Sequence, residues 1–272
     1  MQRSDGLFNN FLGFDRTFND DVGSENCIGR AIWASGYTLN SDASCEMKFV
    51  AKEVIDRGLP SAHNFTSPRA HAFTILGLHH YYEAFPDDQN ILDNIEISAN
   101  KLIEQYRLEA EEDWRWFEPY LTYANPRLPQ ALFAAYKSTK KPIYLKVAQS
   151  SMDFLIEAQI VGDMFVPIGT KGWYRKNGIR ALYDQQPIEA SCMVEAALTA
   201  LNSSSNENFK KTAQTAFEWY HGRNTQEVTL CNQETCTCFD GITPEGLNQN
   251  QGAEATLSYY LAYLKLKEKS LA

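Results

Sequence analysis

The 272-residue chain has no run of about 18 apolar residues, so it holds no candidate membrane-spanning helix. Its opening residues, "MQRSDGLFNNFLGF", lack the apolar core of a secretory leader, and the expected location is therefore the cytoplasm. Basic residues are outnumbered: 25 Lys and Arg stand against 34 Asp and Glu, for a net charge of -9. That balance excludes an ordinary nucleic-acid partner, which needs clustered cations to neutralise phosphates. No glycine-rich phosphate cradle and no G-x-S-x-G nucleophile elbow occurs. Period-two alternation of Val, Ile and Thr is scarce, which argues against a sheet. Six cysteines are present, but they include no C-x-x-C pair and no second Cys/His pair at zinc-site spacing. The cluster "CNQETCTC" reads as a loop of reduced thiols, and no metal or cofactor is expected.

Helical periodicity fills the chain instead, and it comes in two kinds. In "NILDNIEISANKLIEQYRLE", Ile91, Ile95, Ala99, Leu102 and Tyr106 share one face while Asp93, Glu96, Lys101 and Glu104 lie off it. That is a surface helix with one buried stripe. "SCEMKFVAKEVIDRGL", with Gly58 as its expected stop, "PIYLKVAQSSMDFLIEAQ" and "NENFKKTAQTAFEWYHG" read alike. The second kind is poor in charge and apolar around most of its circumference, which predicts burial on two sides. These segments are "GRAIWASGYTL", "PRAHAFTILGLHHYYEAF", "PRLPQALFAAY", "QPIEASCMVEAALTAL" and "QGAEATLSYYLAYLKL". Pro129 and Pro187 fall in expected first turns, where a fixed φ and a missing N–H cost nothing.

The two kinds alternate. Entry residues Arg69, Arg127, Glu189 and Glu254 recur at intervals of roughly 60 residues, the mark of an array of helical hairpins. Closing outer and inner helices into a ring predicts an all-α (α/α) toroid, one domain over residues 1–272. Five inner helices but four outer ones are legible, so either the ring has five hairpins or, the favoured expectation, a further hairpin lies upstream of Met1.

The extra length of each repeat lies in the loops before the inner helices, where sites are commonly built. These loops supply carboxylates, carboxamides and aromatic rings, a mixture that suits the hydroxyls and C–H faces of a sugar. Paired carboxylates also do acid/base work at glycosidic bonds. The expected acids are Asp184 and Asp240, which precede their helices, followed by Glu118 and Glu25. Trp116 and Trp173 are expected as stacking platforms, and Gln185, Gln186 and Asn250 as hydroxyl ligands. Tyr123 and Arg127 stand at the same mouths as further substrate contacts. The recurrence of Arg30, Arg69 and Arg127 at one position also favours an inter-helix ion pair. Glu189 and Glu254, in first turns, divide evenly between helix caps and function. Glu195, farther along its helix, reads as structural or paired with an arginine.

"GSENCIGRAIWASG", "WFEPYLTYANPRLPQAL", "YDQQPIEASCMVEAAL" and "FDGITPEGLNQNQGAEATLSYYLA" resemble a bacterial family in the six-hairpin glycosidase-like superfamily. Its members often form the C-terminal region of proteins named as glycosyltransferases or mannosyltransferases, and also occur as separate chains. The resemblance runs from about Asp5 to Leu264 and implies an (α/α) toroid, carbohydrate metabolism, an extra upstream hairpin and a glycosyltransferase as a partner. Asn26 stands where that family usually carries an acid after "GSE", while Glu25 is retained.

The leading expectation is a glycoside-hydrolase-like enzyme acting on an oligosaccharide such as a mannoside. One rival is sugar epimerisation or isomerisation with His63 or His71 as base. The other is a non-catalytic sugar-binding or scaffold domain whose acids are all engaged by arginines.

Overall fold

Serines begin the first three helices. Ser24, Ser44 and Ser67 each accept a hydrogen bond from the backbone three residues on, satisfying one of the free donors at a helix start. The computed structural model describes residues 2–204, 206–232 and 234–271. Its helices are α1 (Glu25–Leu39), α2 (Cys45–Ala62), α3 (Pro68–Ala84), α4 (Gln89–Glu109), α5 (Arg127–Thr139), α6 (Pro142–Gln159), α7 (Pro187–Ser204), α8 (Asn208–Glu218) and α9 (Ala253–Glu268). Among the described residues the strands are two or three residues long and form antiparallel pairs within the loops. These are β1 (Tyr120–Leu121) with β4 (Tyr174–Arg175), β2 (Ile160–Val161) with β3 (Met164–Phe165), β5 (Cys231–Asn232) with β6 (Thr237–Cys238), and β7 (Gly241–Thr243) with β8 (Gly246–Asn248).

The chain divides into two units, Met1–Leu108 with Ala131–Ala148, and Glu109–Gln130 with Gln149–Ala272. In the first, α1 packs along α3 at very short range. A Cβ added to Gly36 would lie 1.9 Å from the Gly77 carbonyl oxygen, and one added to Gly77 would lie 2.4 Å from that of Ile32. Only glycine permits that approach. Trp33 stacks on Phe73 beside it, with centroids 5.6 Å apart. α3 is buried almost continuously from Pro68 to His79, as its uncharged sequence predicts. α4 buries the expected stripe of Ile91, Ile95, Ala99 and Leu102. Gly58 does not stop α2. The helix runs on through Pro60 to Ala62, since burial of Leu59 and Ala62 outweighs glycine's penalty of about 1 kcal/mol.

In the second unit α7 is the buried element, enclosed from Pro187 to Leu198 except at Ile188. It packs against α8 and α9. Trp116, Phe117, Trp219 and Tyr220 belong to the core of this unit, each essentially inaccessible to water. α9 departs from the expectation of burial on two sides. It buries Ala255, Ser258, Ala262 and Leu266 but exposes Leu257, Leu261 and Leu264. Its apolar residues spread around the helix, and only the small-residue face is enclosed.

Candidate functional site

The site is built where α7 and α9 begin, within the second unit. The loop before α7 folds back on itself through backbone bonds from Gly169 to Ala181 (2.9 Å), Thr170 to Asp184 (3.0 Å) and Lys171 to Tyr183 (3.0 Å). Gln185 then makes a reciprocal pair of 2.9 Å backbone bonds with Ile242. That bridge joins the α7 entrance to the β7–β8 hairpin, in which Gly241 faces Asn248 and Thr243 faces Gly246. Gly241 is required at the junction: its φ is +146°, and a Cβ there would lie 2.2 Å from the Gln185 carbonyl oxygen. The end of α8 holds the entrance from beneath. Trp219 Nε1 donates to Gln185 Oε1 at 2.9 Å, and the Tyr220 hydroxyl donates to the Pro187 carbonyl at 2.6 Å.

These supports leave a cavity of about 310 Å³, lined among others by Gln186, Ile188, Asp240, Asn248, Gly252 and Glu254. The volume sits at the lower end of the roughly 300–1,000 Å³ usual for small-molecule sites. Asp240 is oriented twice over. Its backbone N–H donates to the Asn250 carbonyl at 2.8 Å, and its Oδ1 accepts from the Gly252 N–H at 2.7 Å. Gly252 is the N-cap of α9 and has no side chain to satisfy the helix start, so the aspartate serves that end. Glu254, in the first turn of α9, is exposed and makes no hydrogen bond or ion pair among the described residues. Two carboxylates and two carboxamides thus face one concavity at the starts of two helices, whose partial positive ends favour the negative charge.

Of the acids read from sequence, Asp240 lies in this cavity. Asp184 is half-buried just before Gln185, with Lys171 Nζ 3.3 Å from its Oδ1, and that oxygen is shielded from water and makes no hydrogen bond. Glu118 is half-buried and its carbonyl accepts from Trp114 Nε1 at 2.8 Å. Glu25 is a correction: its carboxylate accepts from the backbone N–H groups of Thr66 (2.9 Å) and Ser67 (2.7 Å) and from the Thr66 hydroxyl (3.2 Å). It ties α1 to the start of α3.

Among the binding residues, Gln186 lines the cavity, and Asn250 is exposed beside Asp240. Trp173 and Tyr123 are each partly exposed. Three expectations are overturned. Trp116 offers no face to a sugar, being wholly buried against Phe117 and Phe154. Gln185 is also wholly buried. Its amide donates to the Leu182 carbonyl and the Thr225 hydroxyl and accepts from Trp219, so it braces the loop. Arg127 is buried in an ion pair with Glu195, N–O 2.7 Å, and donates to Gln130 Oε1, also at 2.7 Å. That pair is the inter-helix alternative read from the recurring arginines. Arg30 lies over the Phe73 ring at 4.6 Å instead.

Glu189, in the first turn of α7, is held from within the protein. It is buried and accepts from the Ala124 N–H and from Asn125 Nδ2, pinning the loop before α5 to α7. Glu254, which the sequence divides between cap and function, and Asn248, which it does not single out, also line the cavity. The small N-cap in "NQGAEA" was the available signal, since a glycine there invites an outside acceptor. The two histidines lie in the first unit. His63 Nε2 is 2.6 Å from Asn94 Oδ1, and His71 is buried with Nε2 3.0 Å from the Phe65 carbonyl. Burial holds the His71 ring below its ordinary pKa, partly offset by that bond. Among the described residues no group of three or more His, Cys, Asp or Glu could hold a metal ion. Among the described residues no helix is long and apolar enough to cross a membrane.

No protein-family model and no curated protein sequence matches the chain. Solved structures do. A cellobiose 2-epimerase from Bacillus thermoamylovorans has a TM-score of 0.67 at 12% identity, over 98% of this chain and 78% of its own. An unsaturated glucuronyl hydrolase specific for heparin has a TM-score of 0.66 at 12% identity, over 98% and 74%. A D-mannose isomerase has a TM-score of 0.64 at 17% identity, over 99% and 78%. At such identities the likeness shows the fold, an all-α (α/α) toroid of helical hairpins.

Proposed function

We propose that this protein is a carbohydrate-active enzyme of the glycoside-hydrolase type, acting on an oligosaccharide through Asp240 and Glu254. The observation that carries this reading is that both carboxylates face one cavity and neither meets an arginine among the described residues. A purely structural acid in this protein looks different: Glu195, Glu189 and Glu25 are each bound by an arginine, an amide or a helix start. Gln186 and Asn248 supply amide donors and acceptors for sugar hydroxyls. Asp184 with Lys171, and the half-exposed Trp173 on the same loop, are proposed to extend the site outward toward further sugar units. Glu118 and Tyr123 remain proposed contacts at the neighbouring entrance.

The neighbours in fold include a hydrolase, an epimerase and an isomerase of sugars, so the reaction type is argued from the site. Epimerisation by a cavity histidine is the weaker reading, because His71 is buried against the Phe65 carbonyl and His63 is engaged with Asn94. The sequence resemblance adds a mannoside as the first substrate to try and a glycosyltransferase as the partner proposed for it.

The test is a panel of manno-, gluco- and galacto-oligosaccharides followed by chromatography and proton NMR. Cleavage into shorter sugars is the expected result. Change of stereochemistry without cleavage supports the epimerase reading, and tight binding without any turnover supports a non-catalytic domain.

A further inference from the structure

We propose that Cys231 and Cys238 are a redox-active dithiol that a small-molecule disulfide converts to an intrachain cross-link. The two cysteines face each other across the β5–β6 pair. The next pair outward, Leu230 with Phe239, is hydrogen-bonded, Phe239 N–H to the Leu230 carbonyl at 3.0 Å. Antiparallel pairs alternate, so Cys231 and Cys238 occupy the non-hydrogen-bonded position, where Cα atoms approach to about 4.5 Å and side chains share a face. A disulfide needs Cα atoms about 4.4–6.8 Å apart, a range that includes the usual spacing of this position.

The register is held from both sides. Asn232 Oδ1 accepts from the Glu234 and Thr235 N–H groups at 3.0 and 3.2 Å, closing the turn. The Cys238 N–H donates to the Thr256 hydroxyl of α9 at 3.3 Å. Contact with the Cys231 thiol, reinforced by burial, pushes the Cys238 thiol above its ordinary pKa. Cys231 is the half-exposed member and is the entry point for an oxidant. Cys236, exposed in the turn, faces neither of them across the strands.

The chemistry is two successive exchanges. Cys231 Sγ, as thiolate, attacks the disulfide RS–SR, forming Cys231–S–S–R and expelling one thiolate. Cys238 then loses its proton and attacks Cys231 Sγ, forming the cross-link and expelling the second thiolate, and each thiolate takes up a proton. Two protein thiols are oxidised and one disulfide is reduced to two thiols. The cross-linked strand leads through Phe239 into Asp240, so the dithiol sits two residues from the cavity.

Oxidised glutathione is incubated with the whole chain, free thiols are alkylated, and peptides are mapped under non-reducing conditions by fragmentation. The expected product is one peptide lighter by two hydrogens, with Cys231 and Cys238 protected and Cys236 alkylated. The Cys236→Ser variant gives the same cross-link, and Cys238→Ser stops at the glutathione adduct on Cys231. The proposal is overturned if all three cysteines stay alkylatable, or if Cys236 replaces either partner in the bond. These readouts do not depend on activity, so they stand apart from the assignment of the cavity.

Discussion

Asp240→Asn and Glu254→Gln are each expected to lower kcat by about 100- to 10,000-fold on the oligosaccharide that the panel selects. That is the range a positioned acid or base contributes. Both substitutions keep size and shape and remove only the charge and the exchangeable proton. An asparagine at 240 still offers an oxygen to the Gly252 N–H, so the start of α9 stays satisfied and thermal unfolding moves little. Glu254 has no partner to lose among the described residues, so its variant is structurally silent as well. KM should change far less than kcat, because Gln186 and Asn248 remain to bind hydroxyls. Asp184→Asn is expected to cost less, since it sits outside the cavity lining beside Lys171. Steady-state kinetics on the three variants checks this ordering. Full activity in Asp240→Asn or Glu254→Gln removes that residue from the chemistry.

Arg127→Met is expected to destabilise the second unit by about 3–5 kcal/mol, the cost of stranding one partner of a buried ion pair. Arg127 and Glu195 are 3% and 6% exposed, so water cannot replace the lost guanidinium. Glu195 would be left with the Ser191 hydroxyl, 3.4 Å away, and Gln130 Oε1 would lose the Arg127 donor. At about 2–4 °C per kcal/mol for a large domain, the melting transition should fall by several degrees at least. The double variant Arg127→Met/Glu195→Leu should recover much of the loss, because a buried pair replaced by apolar side chains of similar volume is often neutral. Urea or thermal unfolding of the three proteins checks both statements. A single variant as stable as the parent would show that the pair contributes nothing.

Much of the architecture is legible in the chain. Periodicity separates α4, with its single buried stripe, from α3 and α7, which are buried nearly all round. The spacing of the helix entries, and the proline at 187, locate the mouths where side chains gather. The site is harder to read, for a physical reason. A polar residue in an entrance loop looks the same in sequence whether it faces solvent or is satisfied from within. Gln185 and Gln186 are adjacent amides, yet the first is consumed by Leu182, Trp219 and Thr225 while the second lines the cavity. Trp114 and Trp116 belong to an aromatic loop that tertiary packing draws inward. Glu189 and Glu254 occupy matching first-turn positions. One is spent on the loop before α5, and the other is open because Asp240 already serves the start of α9.

The most direct measurement is a crystal structure of the Glu254→Gln protein soaked with the oligosaccharide that the panel selects. A sugar ring in the cavity between the starts of α7 and α9, with hydroxyls on Gln186, Asn248 or Asp240, is the predicted result. A sugar seated elsewhere, with this cavity holding only water, contradicts it.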